Sequence, residues 1–506
     1  MQNKSNRMLL PIVLAIALAL RFVGLEHGFP FIFHPDEPTV IRTALGLRFY
    51  PNPGHFDWPH LYMYVNYIMY MVFDNLRKFI VLLGFKATLS KIFPIIWDEN
   101  LIFYFLSRAL TAIFGALTVI PIYAAAREAF GKRVGIIAAL SFAIIPFHVW
   151  NSSFALIDAP MLFFASWGVF YAISILKRND TNDYAGGGFY IGLSASTKYN
   201  GGLTILTIPF AHLMRVIKNH EKLFDMASLY NLSTTVFTSI IGFLMGTPYA
   251  ILDYRTFIRT DGPKGALWQF TNVGSVPFND RIPAFFHQMI YKVADDFGYT
   301  FLIGFFIVLV LLIVRKISKK QTDQDIFLWF LTLSGLVFLF YISSFAKSRS
   351  QYYFITYPYV VIVFAYLVDL ILTKFASKNA IVGPLIFLLL LGLPAFMSIK
   401  NAFVLSRSDT RVELYNWFKL NLPRTDVVLY KKSDYGLVLD KFPNIAIKNV
   451  TVAEKNVRGL LITDYDPTCD CVDVPLAPFD GAVKKVAQID NFLRAGPILY
   501  IYSLNK

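Results

Sequence analysis

Residues 8–38 read MLLPIVLAIALALRFVGLEHGFPFIFHPDEP, a membrane-length apolar run from Met8 to Leu25 broken by Arg21, followed closely by His34-Pro35-Asp36-Glu37-Pro38. A helix needs about 20 apolar residues to cross the hydrocarbon. A charged side chain held near lipid costs about 2.5–3.5 kcal/mol even on the lenient insertion scale. Two adjacent carboxylates at the mouth of such a segment are either a solvated pair fixed by the flanking prolines or a functional pair kept against that penalty. The basic start and apolar core resemble a secretory leader, but the run continues to Leu25 and its removal would strip the acidic loop of its anchor. The expectation is an uncleaved first helix.

Working outward, hydrophobic residues make up 56% of the 506 and charged residues 16%, more apolar surface than one soluble core can hide. The class is a polytopic membrane protein. The formal charge of +14 comes in short clusters between apolar runs rather than on one face. Cytoplasmic loop charges beside anionic lipid therefore explain it, and nucleic acid is excluded as a partner.

Further spans are expected near 101–123, 134–151, 160–176, 229–250, 297–314, 326–344, 352–372 and 380–399, after the first at 8–26. Residues 185–214 are apolar but interrupted by Thr197-Lys198-Tyr199-Asn200-Gly201-Gly202, which fits two short helices better than one span with a lysine at its centre. The expected total is about eleven crossings. Lys4, Arg7, Arg127, Lys132, Arg133, Lys177, Arg178, Arg215, Lys218, Lys222, Arg315, Lys316, Lys319, Lys320, Lys374 and Lys378 then fall on one side. By the positive-inside rule that side is cytoplasmic, with the C-terminus outside. Asp36-Glu37, Asp158, Lys198, the 251–296 loop, Lys347 and Arg349 come together on the outer face. Residues 61–98 hold two apolar runs, Leu61 to Phe73 and Phe79 to Phe85, separated by Arg77-Lys78. They read as interfacial or re-entrant helices belted by Tyr62, Tyr64, Tyr67 and Tyr70, with two extra crossings as the rival.

Composition changes after residue 400. Thr410-Arg411-Val412-Glu413 forms a capping-box pattern opening an amphipathic helix through Leu422, stopped by Pro423. Short β-rich runs follow at Val427–Tyr430, Ile445–Ile447, Gly459–Thr463 and Ile498–Tyr502. The expected organisation is a transmembrane domain over 1–400, with outer-face loops 27–100 and 251–296, and a small α/β extracytoplasmic domain over 401–506.

Asp36-Glu37 can supply a general base that activates an acceptor hydroxyl or amine. Asp158, in Leu156-Ile157-Asp158-Ala159-Pro160, suits either a helix N-cap with proline in the first turn or a second acidic site. Arg108, Lys198, Lys347 and Arg349 suit phosphate binding, arginine in bidentate fashion, against the alternative of snorkelling to lipid headgroups. The 251–296 loop, with Asp253, Arg255, Asp261, Gly262, Trp268 and His287, is long enough for a lid or acceptor-binding surface, or is a structural connection. Asp464-Tyr465-Asp466 mimics the Asp-x-Asp of nucleotide-sugar transferases on a side without nucleotide. Cys469 and Cys471 suit a small disulfide or free thiols, and two sulfurs do not make a zinc site.

The series His34-Pro35-Asp36-Glu37, Phe56-Asp57-Trp58-Pro59-His60-Leu61-Tyr62, Ser107-Arg108-Ala109-Leu110, Leu156-Ile157-Asp158-Ala159-Pro160 and Gly192-Leu193-Ser194-Ala195-Ser196-Thr197-Lys198-Tyr199-Asn200 resembles the family 39-like membrane glycosyltransferases. These are GT-C-fold enzymes related to the protein O-mannosyltransferases and the lipid A aminoarabinose transferase. The likeness covers roughly residues 1–400 and extends loosely to the helix of 409–423. It implies transfer of a sugar from a polyprenyl-phosphate carrier to a protein, lipid or glycan acceptor on the extracytoplasmic face of the cell inner (plasma) membrane, with inversion. By that resemblance Asp36 is the base with Glu37 beside it, and Asp158 is the second acid. The implied substrate and phosphate contacts are Arg108, Lys198, Tyr199, Lys347, Arg349, His34 and His60. Some relatives use a divalent metal, for which Asp36, Glu37 and Asp158 are the candidate ligands. The 251–296 loop is too short for the β-trefoil insert of eukaryotic relatives, which points to a bacterial or archaeal enzyme. A transporter or flippase of a lipid-linked or small anionic substrate is the rival class, and a surface-polysaccharide polymerase or ligase a third. The ionisable groups gather at the outer rim rather than at the midplane breaks typical of transporters.

Overall fold

The computed structural model describes residues 8–223, 225–272, 274–375, 381–421, 427–430, 447–449, 459–466, 471–472 and 483–504. Seven helical runs among them are long and apolar enough to cross a membrane: Ile102–Phe130, Asp158–Arg178, Met226–Gly246, Tyr299–Ile317, Asp325–Ser343, Ser350–Phe375 and Val382–Asn421. Leu9–Phe22 is a further, shorter apolar helix.

The chain divides into two compact units. One comprises Met1–Phe22 and Thr39–Ile399, the other Val23–Pro38 and Lys400–Lys506. The acidic loop thus belongs with the residues beyond 400.

In the first unit, helix Ser350–Phe375 is the inner element, buried along 83% of its most apolar stretch, against 22% for Met226–Gly246. Apolarity does not set this burial, since Tyr299–Ile317 is more apolar than Ser350–Phe375 and yet only 33% buried, so burial here separates protein-facing from lipid-facing surface. Around the inner element lies an aromatic core in which Phe301 meets Phe364 edge-on at 4.8 Å and Phe297 meets Tyr357 at 4.2 Å. The peripheral helix turns Val236, Phe237, Ile240 and Met245 outward.

Helices Thr181–Thr197 and Met226–Gly246 touch backbone to backbone. A Cβ on Gly188 would lie 2.2 Å from the Thr235 carbonyl oxygen, and one on Gly192 2.2 Å from that of Ser239. Glycines four apart on one face allow the close approach that membrane helices use where no hydrophobic force distinguishes protein from lipid.

Three expectations change. The span predicted over 134–151 is two helices, Lys132–Ala143 and Pro146–Asn151, because Ile145 before the proline is extended (φ −73°, ψ 120°) and Pro146 begins a new helix. Residues Leu61–Leu82 form one helix rather than two runs, carried through its charged middle by an Asp74–Arg77 pair at 3.3 Å. The capping box does not form. Thr410 is the first helical residue, the Asp409 carboxylate accepts from the Arg411 N–H at 2.9 Å, and Glu413 pairs with Arg494 at 3.1 Å.

In the second unit the helix Thr410–Asn421 precedes a mixed sheet of β1 (Val427–Tyr430), β2 (Ile447–Asn449), β3 (Gly459–Asp466), β4 (Cys471–Val472), β5 (Val483–Ile489) and β6 (Ile498–Leu504). The order is β2-β1-β3-β6-β5, with β4 beside β3. β1 runs parallel to both neighbours, and β6 is antiparallel to β3 and β5. Of the strand predicted at Ile445–Ile447, Ile447 lies in β2, and residues 445 and 446 fall outside the described residues. Asp464-Tyr465-Asp466 lies in β3, and Cys469 falls outside the described residues.

Candidate active site

Asp158 opens the helix Asp158–Arg178 and is 3% exposed. Its carboxylate does not cap that helix. It forms an ion pair with the ammonium of Lys198, forty residues on. Lys198 reaches it because the chain breaks there: helix Thr181–Thr197 ends, Lys198 is extended (φ −153°, ψ 129°), and a 3-10 segment Tyr199–Leu206 follows. The break lies where the sequence placed it. The same ammonium sits over the Tyr352 ring, 5.1 Å from its centroid. A buried carboxylate is compensated in this way by a cation that also has an aromatic face.

Tyr199 donates to the Phe56 carbonyl at 2.8 Å, and the Phe56 N–H donates to the Lys264 carbonyl at 2.6 Å. The 51–60 loop is thereby tied both to the Lys198 break and to the 251–296 loop. Burial, then the charge of Asp57, pushes the Tyr199 hydroxyl up, so it is a donor at neutral pH. His55 Nδ1 pairs with the Asp57 carboxylate, and His55 Nε2 lies 3.2 Å from the Thr43 hydroxyl. His60 Nε2 donates to the His55 carbonyl at 2.6 Å, and burial pulls this imidazole down to about 4. His60 is therefore a neutral strut rather than a cation for phosphate.

Arg108 is 1% exposed on helix Ile102–Leu117. The turn carrying it is held by Tyr62, whose hydroxyl donates to the Ser107 carbonyl at 2.9 Å. Ser107 in turn donates to Asn66 at 2.7 Å. Thr111, one turn on, reaches the Leu156 carbonyl at 3.5 Å, two residues before Asp158.

Lys347 and Arg349 are exposed in the connection after helix Asp325–Ser343. That connection is fastened by backbone bonds Val276 N–H to Ser344 (2.8 Å) and Ala346 N–H to Gly274 (3.3 Å), and by Lys292 Nζ to the Ser348 carbonyl. The Tyr352 N–H donates to the Arg349 carbonyl at 2.9 Å, which links the exposed cations to the ring under Lys198. The 251–296 loop thus braces the cationic connection.

Lys292 and Asp296, along with His55 and Tyr352, carry no sequence signal beyond residue type. Only the His-x-Asp spacing of His55 and Asp57 was available to be read. Burial pushes the Asp296 carboxyl from near 3.8 up to about 6. The native state then holds a proton that the unfolded state releases, so stability falls as pH rises through that window. Asp296→Asn is expected to flatten the melting temperature between pH 4 and 7 in detergent scans, with a higher melting point than the parent above pH 6.

In the second unit, His34 Nδ1 accepts from the Asp36 N–H at 3.2 Å, and the Glu37 N–H donates to the His34 carbonyl at 3.3 Å. Asp36 is partly exposed, whereas Glu37, the first residue of helix Glu37–Gly46, is fully buried.

The residues do not fit a metal well. No group of three or more His, Cys, Asp or Glu side chains is placed to hold one among the described residues, and the Asp158 carboxylate is engaged by a lysine.

A family model described as dolichyl-phosphate-mannose-protein mannosyltransferase matches residues 104–245, the stretch bearing Arg108, Asp158 and Lys198. Dolichyl-phosphate-mannose–protein mannosyltransferase 1 of Saccharomyces cerevisiae is 30% identical over 158 residues, 29% of this chain and 18% of that protein. The match thus spans under a fifth of this relative's length. Among solved structures, ArnT from Cupriavidus metallidurans in the apo state superposes with a TM-score of 0.51 at 12% identity, covering 97% of each chain. The Archaeoglobus fulgidus oligosaccharyltransferase tethered with an acceptor peptide gives 0.50 at 15% identity, covering 91% of this chain and 69% of that one. The buried acid–lysine pair at a broken helix thus sits in a multi-pass membrane protein of the GT-C glycosyltransferase fold.

Proposed function

We propose that this chain transfers a sugar from a polyprenyl-phosphate carrier to a protein, lipid or glycan acceptor on the extracytoplasmic face of the cell membrane. The observation that carries the reading is the buried Asp158–Lys198 pair inside the segment that matches the mannosyltransferase model. Asp36 removes the proton from the acceptor, the acceptor oxygen or nitrogen bonds to the anomeric carbon, and the bond from that carbon to the phosphate oxygen breaks with inversion. The leaving phosphate is met by Arg108, Lys198 and Arg349, with Lys347 adding charge. A fixed, buried cation such as Arg108 stabilises developing negative charge far better than a cation in water. Tyr199, whose proton goes to the Phe56 carbonyl, offers its hydroxyl oxygen as an acceptor to a hydroxyl of the bound donor, while His34 orders the acidic loop and His60 the 51–60 loop. The carrier's tail stays in the bilayer, so no nucleotide is involved.

Reconstituted full-length protein given radiolabelled polyprenyl-phosphate sugars is expected to move label to a water-soluble or lipid acceptor and release polyprenyl phosphate. Carriage of intact labelled carrier across the bilayer with no release of sugar would replace this reading with transport.

A further inference from the structure

The loop that presents Asp36 has no regular secondary structure over residues 31–34; backbone bonds close it at each end, Phe31 N–H to the Gly28 carbonyl (2.8 Å) and Glu37 N–H to the His34 carbonyl (3.3 Å), and between them its order comes from side-chain contacts. The contacts to Phe31 and Phe33 from beyond the loop include several from one helix of the same unit. The Asp409 carboxylate, 3% exposed, binds the Arg411 guanidinium at both ends, Nε at 2.8 Å and Nη2 at 2.7 Å. The guanidinium lies over the Phe33 ring, its central carbon 3.6 Å from the ring centroid. One turn along, Tyr415 meets Phe31 edge-on at 5.0 Å, and Phe31 also packs on Val412. Upstream, Gly24 (φ +82°) lies so close to the end of helix Val382–Ser406 that a Cβ there would be 2.5 Å from the Leu405 carbonyl carbon. The loop is therefore gripped at Gly24, Phe31 and Phe33, and the next ordered contact is His34 on the Asp36 N–H.

A lysine has no planar face to lie on Phe33 while a carboxylate holds both its ends; an arginine does. We infer that Arg411, locked by Asp409, is a positioning residue for Asp36: the helix Thr410–Asn421 is the seat on which the acidic loop is held in its working shape. This inference rests on the reading of Asp36 as the base. The helix Thr410–Asn421 thereby takes part in turnover through the loop it holds.

The test uses the full chain in nanodiscs, with Arg411→Lys and Phe33→Leu. Each is expected to lower turnover about 10- to 100-fold, the scale of a small misplacement of a reacting group, with the KM for the carrier-linked sugar within about twofold of the parent. Hydrogen exchange should accelerate in residues 31–37 and not across the whole unit. Neither substitution should add to the loss caused by Asp36→Asn. Unchanged exchange over 31–37 in both variants overturns the clamp, as does acceleration spread through the helix Thr410–Asn421. Faster exchange in the loop while Asp36→Asn retains full turnover upholds the clamp and instead overturns the assignment of the base.

Discussion

Lys198→Ala is expected to abolish carrier-dependent transfer and to destabilise the membrane unit by about 3 kcal/mol, the lower end of what removing one partner of a buried ion pair costs. The magnitude follows from the surroundings: the Asp158 side chain is 5% exposed and that of Lys198 19%, so the orphaned carboxylate has little water to turn to. Lys198→Arg keeps the charge but must fit a planar group over Tyr352, and should retain stability better than activity. The double variant Asp158→Asn/Lys198→Met removes both charges and should recover most of the melting temperature without recovering transfer. Unfolding in a mild detergent, followed by intrinsic fluorescence, reads the first effect, and carrier affinity by a labelled polyprenyl phosphate reads the second. Wild-type stability together with wild-type carrier affinity in Lys198→Ala would remove the pair from the site.

The second large effect is on chemistry alone. Asp36→Asn keeps the side chain's shape and leaves the backbone bond to His34 intact, so the loop should stay folded and the donor should still bind. Turnover is expected to fall by about 100- to 10,000-fold, the range that a positioned base contributes. Single-turnover measurements with saturating carrier-linked sugar separate this loss from binding, and unaltered turnover would exclude Asp36 as the base.

Much of this was legible because lipid imposes a simple rule on sequence. Long apolar runs mark helices, and Lys198 inside such a run announces a break. What the sequence could not show is partnership. Asp158 reads as readily as a helix cap as a second acidic site, and its match with a residue forty positions away leaves no mark in local spacing. Tyr352 looks like any interfacial tyrosine until its ring is found beneath Lys198. Pro146 was passed over since the apolar pattern continues through it, while the chain geometry does not. Arg77-Lys78 misled in the opposite sense, for a neighbouring acid keeps the helix Leu61–Leu82 going. Hydrophobicity also cannot tell an inner helix from an outer one, because lipid tails and protein cores are equally apolar.

The glycine-lined seam between Thr181–Thr197 and Met226–Gly246 has a mechanical meaning. Two helices in backbone contact cannot slide or rock without their carbonyls colliding, so they form one stiff girder, and Lys198 is fixed at its tip. If the chain works as proposed, a lipid-borne phosphate meets Lys198 as a stationary cation rather than as one that reaches out for it.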